Sequence, residues 1–252
     1  MSRSPILKAL SSIRKSGART LLMGGQACVF YGAAEFSRDV DLLVLADAEN
    51  LDRLRSALDA LDAAVIAVPD FEAQRLTRGH AVHFRCRGED VAGLRIDVMS
   101  SLRGVGGFEE LWARRTTLEV AGEPVDLLGV EDLVRAKKTQ RDKDWPMIRR
   151  LVEQSYFEHS GRPADDLVRF WLRELRTPEL LVEVAATHPE AARAAASRPA
   201  VRNALLRRTD DLAAALEEEE REERRKDREY WAPLKRELEE MRLGRRKKDT
   251  RL

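Results

Sequence analysis

Asp39-Val40-Asp41-Leu42-Leu43-Val44-Leu45 is the stretch on which the fold turns. Its apolar and β-branched residues suit a mostly buried strand, and two acids stand at the strand's start. Side chains on a strand alternate faces, so Asp39 and Asp41 project to one side while Val40 and Leu42 face a core. At roughly 3.3 Å of rise per residue the two acidic α-carbons lie about 6.6 Å apart, close enough for flexible carboxylates to share a cation. Acids at the edge of a core are costly unless something compensates them.

Working upstream, Thr20-Leu21-Leu22-Met23 is a short apolar run stopped by Gly24-Gly25, which reads as a strand meeting a glycine turn. Residues 26–31 then read as a short helix launched from that turn, and residues 5–15 as an opening helix with Ile6, Leu7, Leu10 and Ile13 at helical spacing. Downstream, Asn50 is expected to cap a helix with Leu51, Leu54, Leu58 and Leu61 on one face, followed by a strand over 64–68. Strands over 81–85 and 94–99, separated by Gly88-Glu89-Asp90, predict a hairpin whose second strand carries Asp97. Beyond Gly122-Glu123-Pro124 a strand over 125–128 and a helix over 130–138 are expected, the latter running into a charged patch from Lys137 to Asp144.

After Tyr156 the β signals vanish and leucine, alanine and arginine dominate, with helices expected near 165–175, 179–186 and 202–220. Pro233 is expected to start or break a helix, and the densely mixed charges of the tail suit a solvated helix. The predicted fold class is therefore α+β: a mixed β-sheet flanked by helices over residues 1–155, then an all-helical domain over 156–252 with a charged C-terminal helix.

Composition narrows the function classes. Lys+Arg 45 against Asp+Glu 44 leaves a net charge of +1, so attraction for nucleic acid would have to come from local clusters. Cys28 and Cys86 lack the spacing of a zinc site or a disulfide framework. No apolar run approaches the roughly 18 residues of a membrane span, so a soluble, cytoplasmic protein is expected. His80 and His83, three apart on an expected strand, fall on opposite faces and read as structural. Phe170 and Trp171 read as core, and Tyr230-Trp231, beside Lys235 and Arg236, as packing between helices or a base-stacking pair.

The acids carry the chemistry. Asp97, between Ile96 and Val98, closes a cluster with Asp39 and Asp41 if the two strands are neighbours. Three uncompensated carboxylates would repel unless cations lay between them, and magnesium is the hard ion that oxygen ligands take. Two such ions, typically about 3.5 to 4 Å apart, bridge nucleotide phosphates, activate an attacking hydroxyl and stabilise leaving pyrophosphate. Gly24 and Gly25 let backbone amides approach phosphate oxygens, although the same pair also serves ordinary tight turns.

In order and spacing, Met23-Gly24-Gly25, Asp39-Val40-Asp41 and Arg95-Ile96-Asp97-Val98 resemble the DNA polymerase beta-type nucleotidyltransferase superfamily over roughly the first 150 residues. The stretch Tyr31 to Asp39 is similar to small bacterial members, including the nucleotidyltransferase toxins of type IV toxin-antitoxin systems. The resemblance implies a nucleotidyltransferase with Asp39, Asp41 and Asp97 as catalytic metal ligands for two magnesium ions, and Gly24, Gly25, Ser37, Arg38, Lys137 and Lys138 as nucleotide-binding residues. The family's arginine two residues before the hydroxyl is replaced by Glu35, with Ser37 keeping the hydroxyl and Arg38 the available substitute. The substrate implied is an NTP, such as ATP, and the acceptor a transfer RNA or other RNA, a protein side chain or a small aminoglycoside-like molecule, with RNA favoured. Two alternatives of other classes stand beside it: a nucleotide-binding but inactive regulatory or antitoxin-like partner, and a helical scaffold that pairs with another protein.

Overall fold

The structure, a computed structural model, describes residues 4–249. Its centre is a mixed sheet of seven strands in the order β3-β4-β5-β2-β1-β7-β6. The strands are β1 (Thr20–Met23), β2 (Asp39–Val44), β3 (Ala63–Val65), β4 (Val82–Cys86), β5 (Arg95–Met99), β6 (Thr116–Val120) and β7 (Glu123–Leu127). Strand β2 lies antiparallel to β1 and parallel to β5, and β4 joins β5 as the expected hairpin. Val40, Leu42, Leu43 and Val44 are fully or almost fully buried, as an interior strand demands.

The first helices show how local chemistry sets the ends. Helix α1 (Pro5–Lys15) is capped by Ser4, whose hydroxyl accepts from the Leu7 amide, and proline opens its first turn. Helix α2 (Gly24–Phe30) follows β1 with no intervening loop. Helix α3 (Ala48–Ala60) is capped by Asp47, not by Asn50 as expected. Asn50 sits buried inside the helix, where it accepts from the Arg19 amide and donates to the carbonyls of Arg19 and Leu45, stitching α3 to the ends of β1 and β2. Strand β3 is shorter than the 64–68 expectation, and the hairpin β6–β7 turns on Ala121 and Gly122, both at positive φ, as a two-residue turn of this hand requires. The sequence reading had only the second strand of that hairpin.

Three short helices, α4 (Ala73–Thr77), α5 (Phe108–Ala113) and α6 (Val130–Ala136), follow among the strands, the last ending before the expected 138. Contacts divide the chain into two units. The first takes residues up to Phe30, Ala34–Ala136 and the chain from Tyr230 onward; the second takes Tyr31–Ala33 and Lys137–Glu229. The division thus differs from the expected boundary at 155, because α7 (Asp144–His159) packs with the helices that follow it. Trp171 donates from its indole N–H to Ser155 at 3.1 Å, and Tyr156 meets the Trp171 ring edge-on at 5.1 Å. Phe170 and Trp171 are fully buried, as expected.

The second unit continues through α8 (Asp165–Glu174), α9 (Pro178–Thr187), α10 (Pro189–Ala194) and α11 (Pro199–Leu205), the last three each opened by proline. The expected helix over 202–220 is in fact the end of α11 and the start of α12 (Thr209–Asp249), which runs through Pro233 without starting or stopping there. Pro233 cannot donate a backbone hydrogen bond there, and the next residue, Leu234, is buried. Among the described residues no helix is long and apolar enough to cross a membrane.

Candidate active site

The parallel pairing of β2 with β5 sets Asp41 directly beside Asp97 and Asp39 beside Arg95. Antiparallel pairing sets Met23 of β1 opposite Asp41, and His83 of β4 opposite Asp97. Partners in a ladder point to the same face, so Asp39, Asp41, Arg95, Asp97 and His83 form one polar patch on one side of the sheet. The intervening residues Val40, Ile96 and Val98 are fully buried on the other side, while the acids are only half-buried. Neighbouring strands were the condition on which the cluster rested, and the sheet meets it.

Gly24 and Gly25 belong to the same patch. Gly24 has φ +69°, and a Cβ there would lie 1.8 Å from Oδ2 of Asp41. Only glycine tolerates both the conformation and the approach. The Gly25 amide donates to Oδ2 of Asp41 across a long 3.4 Å, and a Cβ on Gly25 would stand 2.8 Å from the Ser37 hydroxyl. Ser37 in turn donates to the Asp39 carbonyl at 3.2 Å. Arg38 is exposed, its guanidinium 5.9 Å over the ring of Phe36, itself 68% exposed.

Sequence reading missed the groups that hold Asp97. The Arg95 Nε donates to Oδ1 of Asp97 at 2.7 Å, and Nδ1 of His83 lies 2.9 Å from the same oxygen. Burial alone would raise the Asp97 pKa, but the hydrogen bonds from His83 and Arg95 together outweigh it and hold the carboxylate below its usual range. Arg95 is pushed the other way, above its ordinary value, first by its bond to Asp97 and then by the charges of Asp97, Asp39 and Asp41. Period-2 alternation could have placed Arg95 on the face of Asp97; the hairpin was expected, but its register, which brings His83 opposite Asp97, is not set by periodicity alone. The two histidines do not share a strand. His80 precedes β4 and is buried with Nε2 3.0 Å from Glu237, while His83 stands at the acids.

Lys137 and Lys138 lie in the second unit, each engaged within it. Lys137 is buried and donates to Asp144 at 3.2 Å; Lys138 pairs with Glu174 at 2.7 Å. Asp144 also accepts from Thr139 and Arg141, which settles its role as a partner of the lysine: it is the first residue of α7 rather than the cap.

A divalent cation can be tested against this donor set. Asp39 and Asp41 offer carboxylate oxygens from one face of one strand, the ligands a hard ion takes, and both are half-buried, so a cation there would stay accessible to substrate. Asp97 is correctly placed beside Asp41, but both of its bonds fall on Oδ1, and among the described residues no group of three or more His, Cys, Asp or Glu side chains stands ready to hold a metal. Arg95 occupies the compensating role that a cation would otherwise take. The carboxylates of Asp39 and Asp41 have the donor chemistry a magnesium ion takes, while Oδ1 of Asp97 already has Arg95 and His83 as partners.

No protein-family model matches the chain, and no curated protein matches it. Among solved structures it is similar to an antigenic nucleotidyltransferase-like protein from Paracoccidioides brasiliensis, at 16% identity and a TM-score of 0.39 over 69% of this chain and 94% of that one. It is also similar to ANT(2″)-Ia in complex with adenylyl-2″-tobramycin, at 14% identity and a TM-score of 0.34 over 85% and 95% of the respective chains. Both scores are low, and the functional reading rests on the carboxylates and their surroundings.

Proposed function

We propose that the chain is a magnesium-dependent nucleotidyltransferase that moves a nucleoside monophosphate from an NTP to a hydroxyl acceptor. One observation carries it: Asp39, Asp41 and Asp97 share a face on adjacent parallel strands, beside Gly24 and Gly25, whose missing side chains leave room for those of Asp41 and Ser37. Magnesium bound there would neutralise triphosphate charge and favour ionisation of the acceptor hydroxyl. Asp39 and Asp41 would hold the cations; the Gly25 amide and Ser37 hydroxyl border the same patch and suit phosphate oxygens. Asp97, kept anionic by Arg95 and His83, accepts the hydrogen bond of the incoming hydroxyl and orients it. The hydroxyl oxygen forms a bond to the α-phosphorus, the bond from that phosphorus to the bridging oxygen breaks, pyrophosphate leaves, and the hydroxyl proton passes to the Asp97 carboxylate and from there to water. Lys137 and Lys138 are left out of this reading, since each already answers a carboxylate of its own unit. An RNA end is the acceptor we favour.

The test is magnesium-dependent release of pyrophosphate and transfer of label from each NTP into RNA and protein. Asp39→Asn/Asp41→Asn is expected to lower transfer by at least about a thousandfold, roughly 4 kcal/mol of transition-state stabilisation. Occupation of Asp97 by Arg95 and His83 favours one second reading, a nucleotide-binding partner without turnover. NTP binding that survives while no acceptor is ever labelled would select it.

A further inference from the structure

Two arginines of the second unit, Arg176 and Arg198, stand beside one carboxylate, Glu219, with side chains only 9% and 13% exposed. Arg198 takes it, donating from Nε and Nη2 to both oxygens and reaching the carbonyls of Leu172 and Leu175 at 2.7 and 2.9 Å. Arg176 is left under-coordinated. It donates from Nη1 to the Leu216 carbonyl at a long 3.3 Å, its Nη2 is 3.9 Å from Glu219, and its Nε is buried without a hydrogen-bond partner. A guanidinium carries five N–H donors in a fixed fork, so most of this one's capacity is unused. Burial, and then the charge of Arg198, push Arg176 below its ordinary pKa.

The same guanidinium lines a groove of about 470 Å³ that lies entirely within the second unit. Trp145 pins it, ring centroid 4.5 Å away, and is itself held by its indole N–H on the Thr139 carbonyl. Pro146, Pro178 and Leu216 supply apolar walls. The other arginines on the wall are engaged, Arg149 with Glu153 and Thr177 and Arg224 with the lining carboxylates Asp142 and Glu220, while Glu217 is a third carboxylate of the lining. A groove of this size, with apolar walls and one under-bonded guanidinium among its lining residues, is built like a small-molecule site and is too large for a bare oxyanion.

We infer that this groove binds a phosphate-bearing ligand of nucleotide size, with Arg176 receiving the phosphate and the apolar walls receiving the rest. A phosphate offers several acceptor oxygens to the fork's unused donors, which a neutral ligand could not. The phosphate comes either from a free nucleotide or from an RNA strand. The inference does not rest on the nucleotidyl-transfer reading, because no residue of the acidic patch takes part.

Calorimetric titration of the full chain carrying Asp39→Asn/Asp41→Asn, without divalent metal, separates the two. AMP, a short RNA oligonucleotide and inorganic phosphate are the probes. Saturable binding of AMP or of the oligonucleotide is expected, and whichever binds identifies the source. Ala213→Glu, which adds a negative charge at an exposed groove position, and Arg176→Lys should each weaken binding by about tenfold or more. Ala213→Glu should leave the melting temperature unchanged, so its loss of binding cannot be unfolding. Absence of binding by all the probes, binding that Ala213→Glu leaves intact, or phosphate binding as tightly as AMP overturns the proposal.

Discussion

At the scale of the residue, the glycine before the acids is the most constrained position in the patch. Gly24 holds φ +69° with Asp41 Oδ2 where a Cβ would go. Gly24→Ala therefore meets two penalties: the left-handed backbone costs a non-glycine residue roughly 1 to 2 kcal/mol, and the clash must displace the Asp41 carboxylate. The expected outcome is a urea midpoint lower by an amount equivalent to about 1 to 2 kcal/mol, together with nucleotidyl transfer down by about a hundredfold or more, because the displaced group is a proposed cation ligand. Stability lost with full activity would mean that Asp41 is not held in its working position by this contact. The placement of Asp39, Asp41 and the glycines was legible in the sequence because it follows from alternation and local backbone. Arg95 and His83 were not, since their meeting with Asp97 depends on strand register.

Between elements, the lysines show where local reading stops. A basic run ahead of a helix has the same appearance whether its charges face a phosphate or a carboxylate, and Lys137 faces Asp144 with both side chains buried. Removing one member of a buried pair leaves the other charge unmatched, so Lys137→Met should cost about 3 kcal/mol in chemical denaturation. Were Lys137 a triphosphate ligand instead, the substitution would raise KM for the NTP and leave stability nearly intact. The pair also has a pH signature. Burial favours a neutral Asp144, yet Lys137, Thr139 and Arg141 outweigh that and hold its pKa below the ordinary value of 3.8. A carboxylate depressed in the folded state contributes stability above its unfolded pKa and loses it as pH falls through the folded one. Wild type should therefore lose stability below about pH 4 more steeply than Asp144→Asn, measured by urea midpoints from pH 6 to pH 2.5. Parallel slopes would show that Asp144 is not responsible. Strands β1 and β2 and helix α1 were readable from periodicity alone, while Asn50 was mistaken for a cap because its bonds to Arg19 and Leu45 are tertiary.

At the scale of the whole chain, a boundary read from composition misses a segment that returns. The all-helical stretch after Tyr156 suggests one C-terminal domain, yet the chain from Tyr230 onward groups with the sheet. Its attachment has named contacts. Leu234 is buried with its Cδ1 3.4 Å from where a Cβ on Gly79 would stand, and Glu237 accepts two bonds from Arg78 and lies 3.0 Å from Nε2 of the buried His80. Those hydrogen bonds, Arg78 first and His80 second, hold the Glu237 carboxyl down at about 2, so it stays charged at any ordinary pH. Leu234→Ala should then cost about 2 to 3 kcal/mol, as for other buried leucines, even though the residue sits on a highly charged helix. Amide hydrogen exchange offers the decisive readout. If the segment is part of the first unit's fold, Leu234→Ala raises exchange over residues 230–245 and also over 76–84, the turn around His80 that it covers. A solvated tail, as its composition suggested, would exchange quickly in wild type, and the substitution would leave 76–84 unchanged.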